Sequence, residues 1–251
     1  MKKILTLIFL LYASVTFADE IKISYFVTYP HITFDQATGK LGGPLYEMIQ
    51  NHIAPAMGDT FVWAKSPSTV PRLLDSLEKN QTDVVALMVY TADRAKAFCL
   101  SEKPFYKGCS GVAVLSNNPL TKVTSADDLL NLKIGYAKDT FVSAFMQDER
   151  LKFDNVNDPN FLEINMKRLI EGSIQASYLP DNAGLLYFVK KLKADDKVKV
   201  LRLPENPAPF HVFFTKTSAD KRDRFNKAYN KVNGSELYLQ LLAKYLDVSK
   251  L

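Results

Sequence analysis

The segment from Leu74 to Tyr106 most constrains what this chain can fold into. It predicts an amphipathic helix, then a short buried strand opening at Asp83, and then a loop that carries Thr91 and Arg94. A guanidinium is a rigid, planar fork that matches a carboxylate with two parallel hydrogen bonds, which makes Arg94 a candidate anion-binding residue. An arginine on a solvated loop is the alternative.

The N-terminal residues have the pattern of a secretory signal peptide. Lys2 and Lys3 precede an apolar run from Ile4 to Tyr12, and small residues lead to Ala18. The run is too short to span a bilayer, which takes roughly 20 residues. We expect residues 1–18 to be cleaved and the mature chain to be secreted.

The composition indicates a globular protein and argues against several functions. The 251 residues are 47% hydrophobic, and a chain of this size usually forms two lobes or domains. The net charge is +5, with Lys and Arg scattered along the chain, which argues against a nucleic-acid partner. His31, His52 and His211 lack zinc-site spacing, and no phosphate loop or nucleophile motif appears. We therefore expect no metal, no cofactor and no catalytic residue.

The two cysteines, Cys99 and Cys109, lie ten residues apart. In a secreted chain this spacing is compatible with a small-loop disulfide. Two cysteines along one strand would lie too far apart to bond, so the bridge requires a turn near Pro104 to Gly108.

Alternating and apolar segments divide the chain into further elements. In the first part we expect a strand at 21–26, a helix to about Ala56, a strand at 61–63, and a helix through Lys79. Val70, Leu74 and Leu77 are the predicted buried stripe of that last helix.

The second half repeats this order of elements. We expect a short helix capped by Ser125, a strand at 133–136, and a helix following the turn at Asp139 and Thr140. The N-terminus of that helix would favour an anion, although Asp139 could simply cap it. Residues 166–181 repeat the helix, turn and strand of residues 74–90, and apolar strands at 198–201 and 210–214 precede helices at 217–232 and 236–245.

Taken in order, these segments resemble the extracellular solute-binding proteins of family 3, the amino-acid-type periplasmic binding proteins. The matching patterns are T-x-x-R at 91–94, an aromatic-Cys-Leu-Ser-x-x-Pro-aromatic-Tyr segment at 98–106, S-x-x-D-L followed by I-G-Y at 125–136, and F-N-K-A near the C-terminus. The resemblance covers essentially the whole mature chain.

The resemblance implies an α/β fold of two lobes, each a mixed sheet flanked by helices, joined by two hinge strands. The first lobe would comprise residues 19–108 and 209–251, and the second lobe residues 109–208. A monomeric periplasmic protein of this kind closes on a small polar solute, an amino acid or related carboxylate. It then delivers the solute to an inner-membrane ABC permease or signals to a sensor receptor.

The resemblance also implies roles for individual residues. Arg94 would hold the solute carboxylate, and the ring of Tyr29 would cover the solute, with Phe34 as second choice. Thr91 and Thr140 would offer hydroxyl groups, and Asp181 would bind an amino group or, alternatively, cap the following helix.

Three positions depart from the family pattern, namely Val89, Asp139 and Gln175. These departures leave open a different small organic anion or a peptide fragment as the solute. An alternative function is a periplasmic enzyme on the same fold, similar to cyclohexadienyl dehydratases, which would use an acid such as Glu47 or Glu171.

Overall fold

The computed structural model describes residues 18–138, 140–158 and 160–251, which form two α/β lobes. The predicted signal peptide lies outside the described residues except for Ala18. Each lobe is built on its own sheet, and a two-stranded hairpin is attached to the first lobe. No helix within these described ranges is long and apolar enough to cross a bilayer.

The strands are short, as is usual for α/β lobes. In chain order they are β1 (Glu20–Ser24), β2 (Thr33–Asp35), β3 (Lys40–Gly42), β4 (Thr60–Trp63), β5 (Val84–Val89), β6 (Cys99–Leu100), β7 (Tyr106–Gly108), β8 (Gly111–Leu115), β9 (Lys133–Ala137), β10 (Lys152–Val156), β11 (Ala176–Leu179), β12 (Val198–Arg202) and β13 (Ala208–Phe214).

Helices cover the faces of both sheets. They are α1 (Pro44–Met48), α2 (Ala54–Met57), α3 (Val70–Glu78), α4 (Ala92–Ala97), α5 (Phe161–Ile170), α6 (Asn182–Lys191), α7 (Ala219–Lys231) and α8 (Gly234–Leu242). A π-helical turn at Ile49–Ile53 joins α1 to α2, so the predicted helix is continuous through residues 44–57. Single 3₁₀ turns occur at Ala126–Leu129, Ala144–Gln147, Lys216–Ser218 and Val248–Lys250.

The sheet of the first lobe has the strand order β4-β1-β5-β13-β6, and β7 also pairs with β13. The strands β1, β4 and β5 are parallel, whereas β13 runs antiparallel to β5. All six residues of β5 are buried, because helices lie on both faces of the sheet. This explains the uninterrupted apolar run from Val84 to Val89.

The sheet of the second lobe has the strand order β10-β9-β11-β8-β12. Here β9, β10 and β11 are parallel, β8 runs antiparallel to β11, and β12 at the edge pairs antiparallel with β8 and so runs in the direction of β11. The chain leaves the first sheet after Gly108 and returns to it at Ala208, so two segments connect the lobes. The first sheet takes strands from residues 20–108 and 208–214, and the second from residues 111–202.

Two local expectations are wrong. The buried stripe of α3 consists of Leu73 and Leu77, whereas Val70 and Leu74 are only partly buried, because they pack against the outside of the small core cluster that contains Leu73 and Leu77. The helix expected directly after Thr140 does not form. Residues 140–143 are irregular, and only a 3₁₀ turn follows at Ala144–Gln147. The described residues therefore offer no α-helix N-terminus at this turn to bind an anion.

The disulfide between Cys99 and Cys109 is also not formed, and both thiols are free. Cys99 pairs with Phe214, while Gly108, next to Cys109, pairs with Ala208 six residues away on the same strand. Six residues of extended chain span about 20 Å. A disulfide needs Cα atoms within about 7 Å, so the predicted turn does not bring the sulfurs together.

Candidate functional site

A cavity of about 350 Å³ lies between the two lobes. Its walls come from the residues that follow β1, β5, β9, β10 and β11, together with the start of α3 and part of β13. The carboxyl ends of the parallel strands of both sheets thus meet at this cavity. This is where open α/β sheets bind ligands, because the loops there carry side chains and free backbone groups.

Arg94 is the cationic group that reaches the cavity from α4. Its Nη1 donates a hydrogen bond to the carbonyl oxygen of Val89 at 3.0 Å, which holds the guanidinium against the end of β5. Burial lowers the pKa of the Arg94 guanidinium, and the nearby Tyr136 opposes this shift. The ordinary pKa of an arginine is so far above neutral pH that the guanidinium stays charged despite this shift. A partly desolvated cation therefore faces the space between the lobes.

A bulge in β5 shapes the floor of the cavity beside Arg94. The pairing of β5 with β13 shifts between His211 and Phe213, and Leu87 on the facing stretch has φ of 61°. A left-handed conformation is unfavourable for leucine and is maintained only by the surrounding packing. Bulges redirect the following side chains, and here Met88 and Val89 follow and line the cavity.

Tyr29 lies where the two lobes meet. Its ring stacks on Tyr187 of the second lobe, with centroids 5.3 Å apart and planes 12° apart, and meets Phe188 edge-on at 5.0 Å. The ammonium of Lys191 lies 5.1 Å from the centre of the Tyr29 ring, in the range of a cation–π contact. Burial raises the pKa of Tyr29, and Lys191 opposes this rise.

Thr140 lines the cavity from the second lobe, on the turn after β9. Its hydroxyl donates to the carbonyl oxygen of Ala137 at 3.0 Å, so its oxygen can still accept a hydrogen bond. On the same turn the buried hydroxyl of Tyr136 donates to the carbonyl oxygen of Phe141. Asp139 lies outside the described residues, so its predicted capping role stays a prediction.

Thr91 is placed differently from the other predicted residues. It is the N-cap of α4, and its hydroxyl accepts a hydrogen bond from the backbone N–H of Arg94 at 3.2 Å. It does not belong to the cavity wall. The structure therefore brings Tyr29, Arg94, Thr140 and Asp181 to one cavity, while Thr91 supports the helix that carries Arg94. Phe34, the second choice for the covering ring, lies on β2 outside this cavity.

Asp181 is buried at the N-terminus of α6, where it accepts a hydrogen bond from the backbone N–H of Ala183 at 3.2 Å. Its other partners come from the first lobe. Nε2 of His31 lies 2.5 Å from Oδ2, and the hydroxyl of Tyr106 donates to Oδ1 at 3.1 Å. His31 is fully buried and also contacts the hydroxyl of Tyr238 through Nδ1.

This network, which comprises His31, Tyr106, Asp181 and Tyr238, was missed by sequence reasoning. His31 and Asp181 are 150 positions apart, and no spacing rule connects them. The one available signal was the place of His31, two residues after Tyr29 on the loop that was expected to reach the cleft.

A second, wider groove of about 770 Å³ adjoins the cavity. Tyr29, Asp158, Asn160 and Glu163 line both spaces, so the groove is continuous with the cavity around these side chains. The hairpin of β2 and β3 and the exposed faces of α5 and α6 form its sides.

The two acids considered for an enzyme lie outside the cavity. Glu47 accepts hydrogen bonds from Lys244 at 2.8 Å and from the Tyr245 hydroxyl at 2.6 Å, and it does not line the cavity. Glu171 is exposed and ends α5. Among the residues the structure describes, no group of three or more His, Cys, Asp or Glu side chains could hold a metal ion.

Two α/β lobes, connected by two chain segments and enclosing a cavity with a desolvated arginine, define the class of two-lobed binding proteins. The chain matches the bacterial extracellular solute-binding proteins, family 3, over residues 21–248. It belongs to this family, and the family resemblance of the sequence motifs is confirmed.

Solved structures share the fold at low sequence identity. An ancestral arginine-binding protein bound to arginine has a TM-score of 0.74 at 22% identity, over 91% of this chain and 98% of that chain. The substrate binding protein of an amino acid ABC transporter gives 0.72 at 20% identity, over 90% and 98%. The GluR0 ligand-binding core from Nostoc punctiforme in complex with L-glutamate gives 0.73 at 18% identity, over 90% and 98%.

These likenesses confirm the predicted two-lobed α/β fold. A comparison with curated proteins gives no significant sequence match.

Proposed function

We propose that this protein is a periplasmic solute-binding protein that captures a small carboxylate-bearing solute, an amino acid or related acid, between its lobes. The observation that carries the proposal is Arg94. It presents a partly desolvated guanidinium to a cavity between two lobes. In such a low-dielectric site a bidentate arginine–carboxylate pair is stronger than at an exposed surface.

The walls of the cavity support a closing motion around the solute. Arg94 and Tyr29 belong to the first lobe, and Thr140 belongs to the second, so a solute that contacts all three bridges the lobes. Closure excludes water and completes the site from both sides. Arg94 is the proposed carboxylate partner, Tyr29 the covering ring and Thr140 the second-lobe hydroxyl.

Delivery to an ABC importer is the proposed destination of the solute. The substrate binding protein of an amino acid ABC transporter has the same fold, which supports this assignment. A membrane receptor would use the same closed complex as a signal. Growth of a deletion strain on the bound solute as sole carbon source separates the two, because only loss of import abolishes that growth.

The binding proposal is tested by thermal unfolding of the ligand-stripped mature protein against L-amino acids and small carboxylates. A solute at about 100 times its dissociation constant adds about 2.7 kcal/mol to the free energy of unfolding, which raises Tm by several degrees. We expect at least one carboxylate to raise the Tm of the wild type and to leave that of Arg94→Ala unchanged.

Glu47→Gln is the matched control for this experiment, because Glu47 is a charged residue of the same lobe outside the cavity. It should show the same ligand-induced shift as the wild type. A panel that shifts none of the proteins, or that shifts Arg94→Ala as much as the wild type, contradicts the proposal.

A further inference from the structure

The charged side chains that line the cavity determine which carboxylate-bearing solutes it can bind. An α-amino acid carries its ammonium on the carbon next to its carboxylate, so a site that binds both needs an anionic partner beside Arg94. Enclosing an ammonium without such a partner is costly, because neutral acceptors satisfy its hydrogen bonds but not its charge.

Three carboxylates among the described residues line the cavity, namely Asp158, Glu163 and Asp181. Glu163 is flanked by Lys167 at 2.8 Å and Lys191 at 2.9 Å, which hold its pKa below the usual range. Asp158 is exposed to solvent. Both acids also line the outer groove, which Arg94 does not reach. Neither is therefore a buried, unoccupied partner for an ammonium held beside Arg94.

The deepest of the three acids, Asp181, is already supplied with hydrogen-bond donors. The Tyr106 hydroxyl and the Ala183 N–H donate to Oδ1, and His31 contacts Oδ2. A carboxylate oxygen accepts, so Nε2 of His31 is the donor to Oδ2, and Nδ1 on the other side of the ring contacts the buried hydroxyl of Tyr238. Three donors from the protein thus already serve the two oxygens of Asp181.

The cationic groups of the cavity act in the same direction. Arg94 is the partly buried cation of the cavity, and the exposed Arg72 and Lys138 lie at its solvent side. A solute ammonium held beside Arg94 would face a like charge in a partly desolvated space, whereas a carboxylate there is attracted. Phe161, Leu162 and Phe210 add apolar surface that suits the uncharged body of an organic acid.

We propose that the cleft selects a carboxylate with no ammonium beside it, the deaminated counterpart of an amino acid, and that His31 sets this preference by occupying Asp181. The inference rests on the proposed function and narrows its solute class. His31 acts through Asp181 and is a positioning residue, because it is fully buried behind the cavity wall.

Titration calorimetry of the ligand-stripped wild type with three matched pairs tests the solute class. The pairs are 3-phenylpropanoate and L-phenylalanine, 4-methylpentanoate and L-leucine, and glutarate and L-glutamate. In each pair that binds, we expect the deaminated acid to bind at least tenfold more tightly. An amino acid that binds as tightly as its partner overturns the inference and leaves the proposed function intact. Failure of all six compounds to bind overturns both.

Variants test the role of His31. In His31→Asn the shorter side chain releases Oδ2 of Asp181, so the preference for the deaminated acid should fall at least threefold. Tyr106→Phe removes the donor to Oδ1 with a smaller disturbance, and it should change the ratio in the same direction. His52→Asn is the matched control, since His52 lies outside the cavity and should leave the ratio unchanged. An unchanged ratio in the folded His31→Asn or Tyr106→Phe protein contradicts the assigned role.

Discussion

The hydroxyl of Thr91 accepts a hydrogen bond from the backbone N–H of Arg94 and so caps the N-terminus of α4. An N-cap hydroxyl satisfies one of the N–H groups that have no partner within the helix. Because α4 has only six residues, its position depends strongly on such end contacts. Thr91 therefore contributes to the site by orienting Arg94.

Thr91→Ala is expected to lower the free energy of unfolding by about 1 kcal/mol, because a helix N-cap is lost. Thr91→Ser keeps the hydroxyl and should stay close to the wild type. Urea denaturation of the unliganded proteins measures this difference. A residue that only contacted the solute would leave unliganded stability unchanged, so equal stability of all three proteins contradicts the capping role.

Single residues were predictable where a short pattern carries the chemistry. The T-x-x-R spacing pointed to Arg94, and the family resemblance pointed to Tyr29 on the loop after the first strand; both line the cavity, and their roles stay predictions. The pairing of His31 with Asp181 was not predictable, because it depends on how the two lobes pack across 150 positions of sequence. The left-handed backbone at Leu87 gave no signal either, since leucine does not favour that conformation.

At the scale of elements, Asp83 connects three parts of the first lobe. Asp83 directly precedes β5 and accepts three hydrogen bonds. One comes from the backbone N–H of Lys22 in β1 at 2.8 Å, and two come from the Ser218 hydroxyl at 3.1 Å and the Lys221 ammonium at 2.7 Å at the start of α7. Burial alone would raise the pKa of Asp83, but these donors outweigh it, and the pKa is lowered. The returning C-terminal segment is thereby fixed to the central sheet.

A lowered carboxylate pKa stabilises the fold above the unfolded-state pKa of about 4, and the contribution is lost as pH falls through the folded-state value. Asp83→Asn should therefore lower the free energy of unfolding by about 1–3 kcal/mol at pH 7. The difference from the wild type should shrink as the pH falls below about 4 toward the folded-state pKa of Asp83, because the wild-type carboxyl group then becomes protonated in the folded state as well. Urea denaturation at pH 7 and at pH 3 measures this.

Asp75→Asn is the control for this prediction, because the Asp75–Lys79 pair is exposed and the side chain of Asp75 is 53% accessible. An exposed pair of this kind contributes under about 1 kcal/mol. Equal effects of the two substitutions at pH 7, or a loss for Asp83→Asn that persists undiminished at pH 3, would argue against the assigned role of Asp83.

The order of elements was largely predictable because their hydrophobic periods are clear. The uninterrupted apolar run of β5 and the paired helix–turn–strand segments both have local signals. The helix expected after β9 failed for a local reason as well. Residues 140–143 are irregular, and Tyr136 and Thr140 direct their hydroxyls to backbone carbonyls within that turn. Side-chain hydrogen bonds of this kind compete with helix formation.

At the scale of the whole molecule, each lobe inserts an aromatic side chain into the other. Tyr29 of the first lobe packs against the core of the second, and Phe141 of the second packs against the core of the first. Both residues line the cavity. Movement of the lobes must therefore rearrange the same side chains that would contact a solute, which couples closure to binding.

The measurement that tests the central claim most directly is a crystal structure of the wild type with its tightest-binding carboxylate. The predicted result is a solute enclosed between the lobes, with its carboxylate oxygens about 3 Å from the guanidinium of Arg94. A solute confined to the outer groove beyond Tyr29, or one that turns its carboxylate away from Arg94, would contradict the account.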